Sequence, residues 1–354
     1  MTRKITAFIL ILSAISMDSC KTDFSLNGEY EVHPVVFGLL DHRDDFHTIK
    51  VTKAFLGDGD NLQYAQNPDS NYFEQVDARI IEYIDNSETG RTWQLFDTIL
   101  TNKSTDGLFY APEQKVYAFF EPNLDSTAEY ELIVDINNGE YEVTGRTELL
   151  EGFNVSSTIL FPSFKVPFAP HTVDEDSDYS FWQFTVTEAN LAARYNYKYT
   201  LKWTETYSDL STASFEMTRN NNDVVKDKPS NPLTHQALFQ GVDFYQWVAS
   251  IVPDDPNVIE RRMTGLDLKI SVAHEDLEQY MQVSQPVTGV AQVQPEYTNL
   301  SGGRGLFSSR LIFELKNLKL NSTSMKELCV GLYTGGKLFC SDYDEHIGES
   351  FYCP

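Results

Sequence analysis

Alternation of apolar and polar positions dominates the first half of the chain. In "HTIKVTKAFL", His47, Ile49 and Val51 alternate with Thr48, Lys50 and Thr52, the period of a strand with one buried face. "YEVHPVVFGLL", "QVDARIIEYI", "RTWQLFDTIL", "KVYAFFE", "EYELIVDI" and "YEVTGRTEL" add further strands, and "NNG" at 137–139 marks a hairpin turn. Seven or so strands between residues 30 and 150, with no strong helix, predict an immunoglobulin-like β-sandwich. The polar stretches 57–73, 169–178 and 219–232 read as loops.

From about residue 155 the strand pattern resumes in "STILFPSFKVPF", "YSFWQFTVTE", "YNYKYTLKWTE" and "ASFEMT". The period then changes. Leu238, Val242, Tyr245, Ala249 and Val252 follow 4-3-4-3 spacing, with Thr234 placed to cap, which predicts a helix over 235–252. "LDLKISV" is a strand. "HEDLEQYMQV" predicts a second helix over 274–283, with Glu275 and Asp276 at its positive end. The expected organisation is a sandwich over 30–150, a second β-rich region over 151–310 carrying both helices, and a C-terminal extension over 311–354. Fold class is mainly β.

The N-terminus carries a different signal. Arg3 and Lys4 precede an apolar run from Ile5 to Ile15, too short to span a bilayer but the length of a secretory leader's core. Ser19 and Cys20 follow. Residues 1–19 resemble a bacterial lipoprotein signal, which makes Cys20 the acylated first residue of the mature chain and 20–29 a tether. An ordinary signal peptide cut nearby is the alternative. Lys21, Thr22 and Asp23 resemble short signals that send lipoproteins to the cell surface in the Bacteroidota; a plain solvated tether is the other reading.

Net charge is −25. Losing Arg3, Lys4 and Asp18 with the leader leaves about −26, which repels phosphate backbones and excludes nucleic acid as a partner. Besides Cys20, the cysteines are Cys329, Cys340 and Cys353. "CVGLYTGGKLFC" reads as a hairpin; a turn at Thr334–Gly335 sets Cys329 opposite Cys340, within disulfide reach. Cys353 is left over: competing for Cys340, staying free and pairing with another chain all remain open.

Several of these pieces occur together in a known pattern. "VVFGLLDHRDDFHTIKVTKAF", "VDARIIEYID", "DGLFYAPEQKVYAFF", "AEYELIVDINNGEYEVTGRTEL", "LDLKISVAHEDLEQYMQV" and "PEYTNLSGGRGLF" resemble, in order, the features of a Bacteroidota outer-membrane lipoprotein family of unknown function (domain of unknown function 4249). The resemblance covers roughly residues 25–310. It implies an outer-membrane lipoprotein with an N-terminal sandwich and a helix bearing a buried tyrosine; it carries over no catalytic residue. The tail from about 311 departs from the pattern and reads as an addition.

Candidate chemistry is sparse. "SGGRGLFSS" lacks the third glycine of a dinucleotide fingerprint, so its glycines are expected to give positive φ and close backbone approach before Leu306 and Phe307 enter the core. Asp41, His42, Asp44, Asp45 and His47 crowd one hairpin, where a surface turn competes with metal binding. Asp58, Asp60 and Asp69 fall at positions 1, 3 and 12 of a calcium loop whose glycine is replaced by Gln63; Asp174, Asp176 and Asp178 offer another acidic loop. Trp182, Trp203, Trp247 and "YNYKY" suit either a sugar-stacking face or a core. No "G-x-S-x-G" or "H-E-x-x-H" occurs. The expectation is a non-enzymatic, surface-exposed outer-membrane lipoprotein, without cofactor or metal. It would serve as an accessory or interaction subunit of an envelope transport or assembly complex, its partners being the membrane through Cys20 and an envelope protein. A glycan-binding accessory of nutrient uptake is the alternative, and a hydrolase the third reading.

Overall fold

A computed structural model describes residues 32–54, 65–101, 103, 110–169, 179–221, 223–226, 234–285 and 296–354. Residues 1–31, on which the expected signal segment, Cys20 and the expected tether fall, lie outside these residues. The fold is mainly β.

The first part contains β1 (His33–Leu40), β2 (Phe46–Ala54), the short helix α1 (Pro68–Asn71), β3 (Val76–Ile84), β4 (Ser87–Gln94), β5 (Phe96–Leu100), β6 (Gln114–Phe120), β7 (Glu129–Ile136) and β8 (Tyr141–Glu148). They form two layers, β1-β2-β6-β5 and β4-β3-β7-β8. That order is the immunoglobulin arrangement of an A-B-E-D sheet facing C′-C-F-G. Alternate residues close the core: Val36, Leu40, Ile49 and Tyr117 from one layer meet Ile80, Leu132, Val134 and Val143 from the other. The β3–β4 turn uses Asp85 and Asn86, both at positive φ, as a tight two-residue hairpin demands.

The second part contains β9 (Asn154–Val155), β10 (Lys165–Val166), β11 (Phe181–Thr187), β12 (Ala192–Tyr207), β13 (Thr212–Asn220), β14 (Val224–Val225), β15 (Thr234–Gln240), α2 (Gly241–Ile251), β16 (Val258–His274), α3 (Glu275–Val283), β17 (Arg304–Leu320), α4 (Ser322–Val330) and β18 (Phe339–Cys340). β12, β16 and β17 are long antiparallel neighbours with β13 at the edge. Their inner face is lined by Tyr195, Tyr197, Tyr199, Leu201, Trp203, Leu268 and Ile270. The small sheet β15-β11-β9 and the helices α2 and α4 supply the other side of this core, through Trp182, Phe239, Phe244, Val248, Met325 and Leu328.

One strand belongs to both parts. Residues 304–309 of β17 run parallel to β1, from Val35↔Arg304 to Leu40↔Ser309. Its later residues run antiparallel to β16, from Ala273↔Arg310 to Leu266↔Leu318. Phe307 fills the first core, while Leu311 and Leu320 fill the second. The boundary expected at residue 310 thus falls inside a continuous strand, and the segment after it is no appendage.

The glycine-rich approach to β17 behaves as its composition suggests. Ser301 and Thr144 exchange backbone hydrogen bonds, tying this segment to β8. Gly305 sits at φ +109°, where a Cβ would lie 2.1 Å from the Val36 carbonyl oxygen. Leu306 and Phe307 are buried immediately after it.

Three expectations are corrected. The helix over 235–252 begins only at Gly241; residues 234–240 form β15, whose buried Ala237 and Phe239 alternate with exposed neighbours. Thr234 pairs with Thr187 and caps nothing. At Gly241 a Cβ would meet the Phe168 carbonyl oxygen at 1.9 Å, so the strand-to-helix change occurs where only glycine fits.

The hairpin over 329–340 is instead the end of α4 followed by a turn. Asn321 caps α4, accepting from the Ser324 amide at 2.8 Å, and Met325, Leu328 and Cys329 share its buried face. Cys329 is therefore a free, buried thiol, which burial pushes up to about 12, and the Cys329–Cys340 bridge does not form. Cys340 pairs with Cys353 across a Cα separation of 5.0 Å, set by the pairing of Ser341 with Tyr352. Closing a loop of this size stabilises by about 3 kcal/mol. The tyrosine of α3, Tyr280, is only half-buried, edge-on to Phe37; the buried residue of that helix is Glu278.

Replacing Gly305 with Ala is expected to destabilise by at least about 2 kcal/mol, because strain and a backbone clash coincide there. Gly90 also has positive φ but open space around it, so Gly90→Ala should cost about 1 kcal/mol. Urea unfolding midpoints of the two variants check the difference.

Candidate functional site

A cleft among the described residues opens where the two parts meet. The β3–β4 turn, the loop before β7, the end of β8 and the turn before β12 enclose about 550 Å³. That volume suits a small ligand, and junctions between folded units are common sites for one. Tyr83, Asp85, Glu129, Glu148, Glu151 and Asn190 line it.

Its walls are held by a polar lattice. The Tyr83 hydroxyl lies 2.7 Å from Glu131 and 3.1 Å from Glu88; the Glu131 carboxylate, with burial and Glu88, pushes the phenol up to about 12. Arg146 stacks over the Tyr83 ring at 4.2 Å and pairs with Glu131 at 3.1 Å and Glu129 at 3.5 Å. Burial raises the Glu131 pKa, yet hydrogen bonds from Arg146 and Tyr83 outweigh it and leave the group below the ordinary range. Asn190 donates its side-chain amide to Glu151 at 3.1 Å and its backbone amide to the Glu151 carbonyl. The lining is rich in acceptors. It suits a hydroxyl-rich or cationic ligand and repels phosphate. Among the described residues no three His, Cys, Asp or Glu side chains are grouped to hold one metal ion.

The cluster in "DHRDDFH" is dispersed. Asp41 is buried and accepts from the Arg43 amide at 3.0 Å and from the Ile312 amide at 2.8 Å, latching the β1–β2 turn onto β17; burial raises its pKa. His47 bonds the Glu121 carbonyl oxygen and stacks on Phe119. Asp44 lies 3.9 Å from Arg310. Asp69 sits in the first turn of α1; Asp58, Asp60, Asp174, Asp176 and Asp178 lie outside the described residues. Trp182 and Trp203 are buried, Trp247 packs against the same core, and Tyr195, Tyr197 and Tyr199 are buried with them, so these rings form no sugar platform.

A carboxylate–imidazole–phenol chain went unread in the sequence. His235 on β15 contacts Glu188 through Nδ1 at 2.9 Å and Tyr197 through Nε2 at 2.5 Å, and Lys226 lies 2.5 Å from Glu188. Burial raises the Glu188 pKa, but Lys226 and His235 together bring it below the ordinary value. Both imidazole nitrogens are engaged and Tyr197 is buried, so no reactive atom faces a substrate. The chain clamps the small sheet onto β12. Its members lie up to 47 residues apart, and no local pattern announces them.

The segment leading into β17 forms a similar lattice. Asn299 acts as a substitute strand: its Oδ1 accepts from the Phe307 amide at 3.0 Å and its Nδ2 donates to the Phe307 carbonyl oxygen at 2.7 Å. Tyr297 and Asn299 both donate to Asp276 in the first turn of α3. No described helix is long and apolar enough to cross a membrane. No protein-family model matches the chain, and no curated protein matches it. These comparisons give the family resemblance no support.

His42, His235, His274 and His346 all have pKa values lowered by burial from the ordinary 6.5. The unfolded chain then takes up protons that the folded chain refuses. Stability is fully present above about pH 6.5 and falls as the pH drops below it. Denaturant titrations from pH 7.5 to 5 should show this decline, and a shallower one in His235→Gln.

Proposed function

We propose that this protein is a non-enzymatic lipoprotein of the bacterial envelope, anchored at Cys20 in the outer membrane with its body exposed at the cell surface. It serves as an accessory or interaction subunit of a transport or assembly complex. The placement of Cys20, after a basic start, an apolar run and a small residue, carries this reading. The Cys340–Cys353 disulfide supports it, since such bonds persist in oxidising compartments outside the cytosol. A sandwich fused to a second β core, with strong negative charge, suits a soluble body held at a membrane. Two or more acyl chains are enough for stable anchoring. Metabolic labelling with an alkyne fatty acid tests it. The wild-type chain should take the label and fractionate with membranes, and Cys20→Ser should do neither. An unlabelled wild-type chain recovered in the soluble fraction would refute the reading.

The junction cleft favours a second reading, binding of a hydroxyl-rich glycan as an accessory of nutrient uptake. Calorimetric titration with neutral oligosaccharides should then give heat that Glu148→Gln combined with Asn190→Ala abolishes. Flat titrations across the panel would remove the idea.

A further inference from the structure

We infer that the β5 edge of the first sandwich docks an extended segment of a partner protein, one in which apolar side chains alternate with lysine or arginine. The inference rests on the interaction-subunit reading and names the surface that would do that work.

Phe46, Phe96 and Phe120 are 42%, 52% and 63% exposed. They are contiguous. Phe46 and Phe120 are directly opposed in the β2–β6 ladder, and the Phe46 and Phe96 rings lie 6.3 Å apart. Phe96 is opposed to Ala118, two residues from Phe120, so all three rings share the outer face of the sheet. Together they expose roughly 300 Å² of aromatic surface, the range in which a patch on a monomer is often functional.

The patch adjoins an edge. Among the described residues β5 pairs only with β6, leaving one side of its backbone without a strand partner. On the opposite face of the same strand Ile99 is 61% exposed. Edge strands are ordinarily protected by charge, proline or bulges. This one presents apolar groups on both faces beside a backbone edge that no described strand pairs, which is the platform for strand addition.

Charge selects the occupant. Asp45 precedes Phe46 and Asp97 follows Phe96; both are exposed, and alternation places Asp97 on the face opposite the rings, so a strand laid along β5 sets its apolar side chains on the rings and its cations on the carboxylate side, while Glu121 is already paired with Arg91 at 3.1 Å. Asp97 is well exposed, with Lys115 at 3.8 Å. An anionic membrane surface meets repulsion here, as does a second copy of so acidic a chain. A basic, strand-forming segment meets attraction.

Two synthetic peptides test this against the full mature chain: a strand-forming heptapeptide alternating lysine with phenylalanine and valine, and its glutamate counterpart. The cationic peptide should bind, with affinity falling as salt rises. Phe96→Ser with Phe120→Ser should weaken it at least tenfold, and Asp45→Asn with Asp97→Asn should weaken it and flatten the salt dependence. Unchanged melting temperatures establish that the variants fold. Equal binding of both peptides, or unchanged binding by the phenylalanine variant, overturns the inference. So does the finding that Phe120→Ser abolishes binding to phosphatidylglycerol vesicles or self-association. Acylation at Cys20 is read separately, so failure here leaves the anchor reading standing.

Discussion

Hydrogen bonding along β17 is the constraint on which the rest of the molecule depends. A single strand changes partner at its middle, parallel to β1 before residue 310 and antiparallel to β16 after it. At that change the Asp41 carboxylate takes up the Ile312 amide. An unpaired buried amide there would cost on the order of 1–3 kcal/mol. Where β17 begins, the Asn299 side chain performs the office of a missing neighbour strand. At these two places side chains complete the ladder, and β17 contributes Phe307 to the first core and Leu311 and Leu320 to the second.

The same economy governs the C-terminal segment. Arg261 and Glu205, both buried, pair at 2.7 Å, and Arg261 also donates to the carbonyl oxygens of Lys337 and Pro253. Trp203 and Tyr207 complete the shell around Glu205. Breaking one partner of such a pair typically costs about 3–5 kcal/mol, since the other charge stays buried alone. With the Cys340–Cys353 bridge, this pair roots the last residues in the second core.

Much of this was legible where structure is local. Period-two alternation located the strands of the first sandwich, and "HEDLEQYMQV" located α3 because its acidic start and apolar spacing agree. The glycines of "SGGRG" announced a close backbone approach. Errors arose where two periods overlay each other. Ala237 and Phe239 obey a strand while Leu238 fits the helical register that follows, so the helical period reads backward past Gly241. In "NSTSMKELCVGLYTGG" the cysteine spacing suggests a hairpin, whereas the structure caps a helix at Asn321. The junction cleft and the Glu188–His235–Tyr197 clamp are assembled from distant residues, and no pattern in one sequence signals them.

The parallel pairing of β1 with β17 joins residues about 270 positions apart in the chain. A ribosome releases β1 long before its neighbour. Until then the opening sandwich has a bare flank where residues 304–309 belong and a hollow where Phe307 belongs. Any product truncated upstream of that strand is left with both cores unfinished, an incomplete copy that quality-control proteases can recognise.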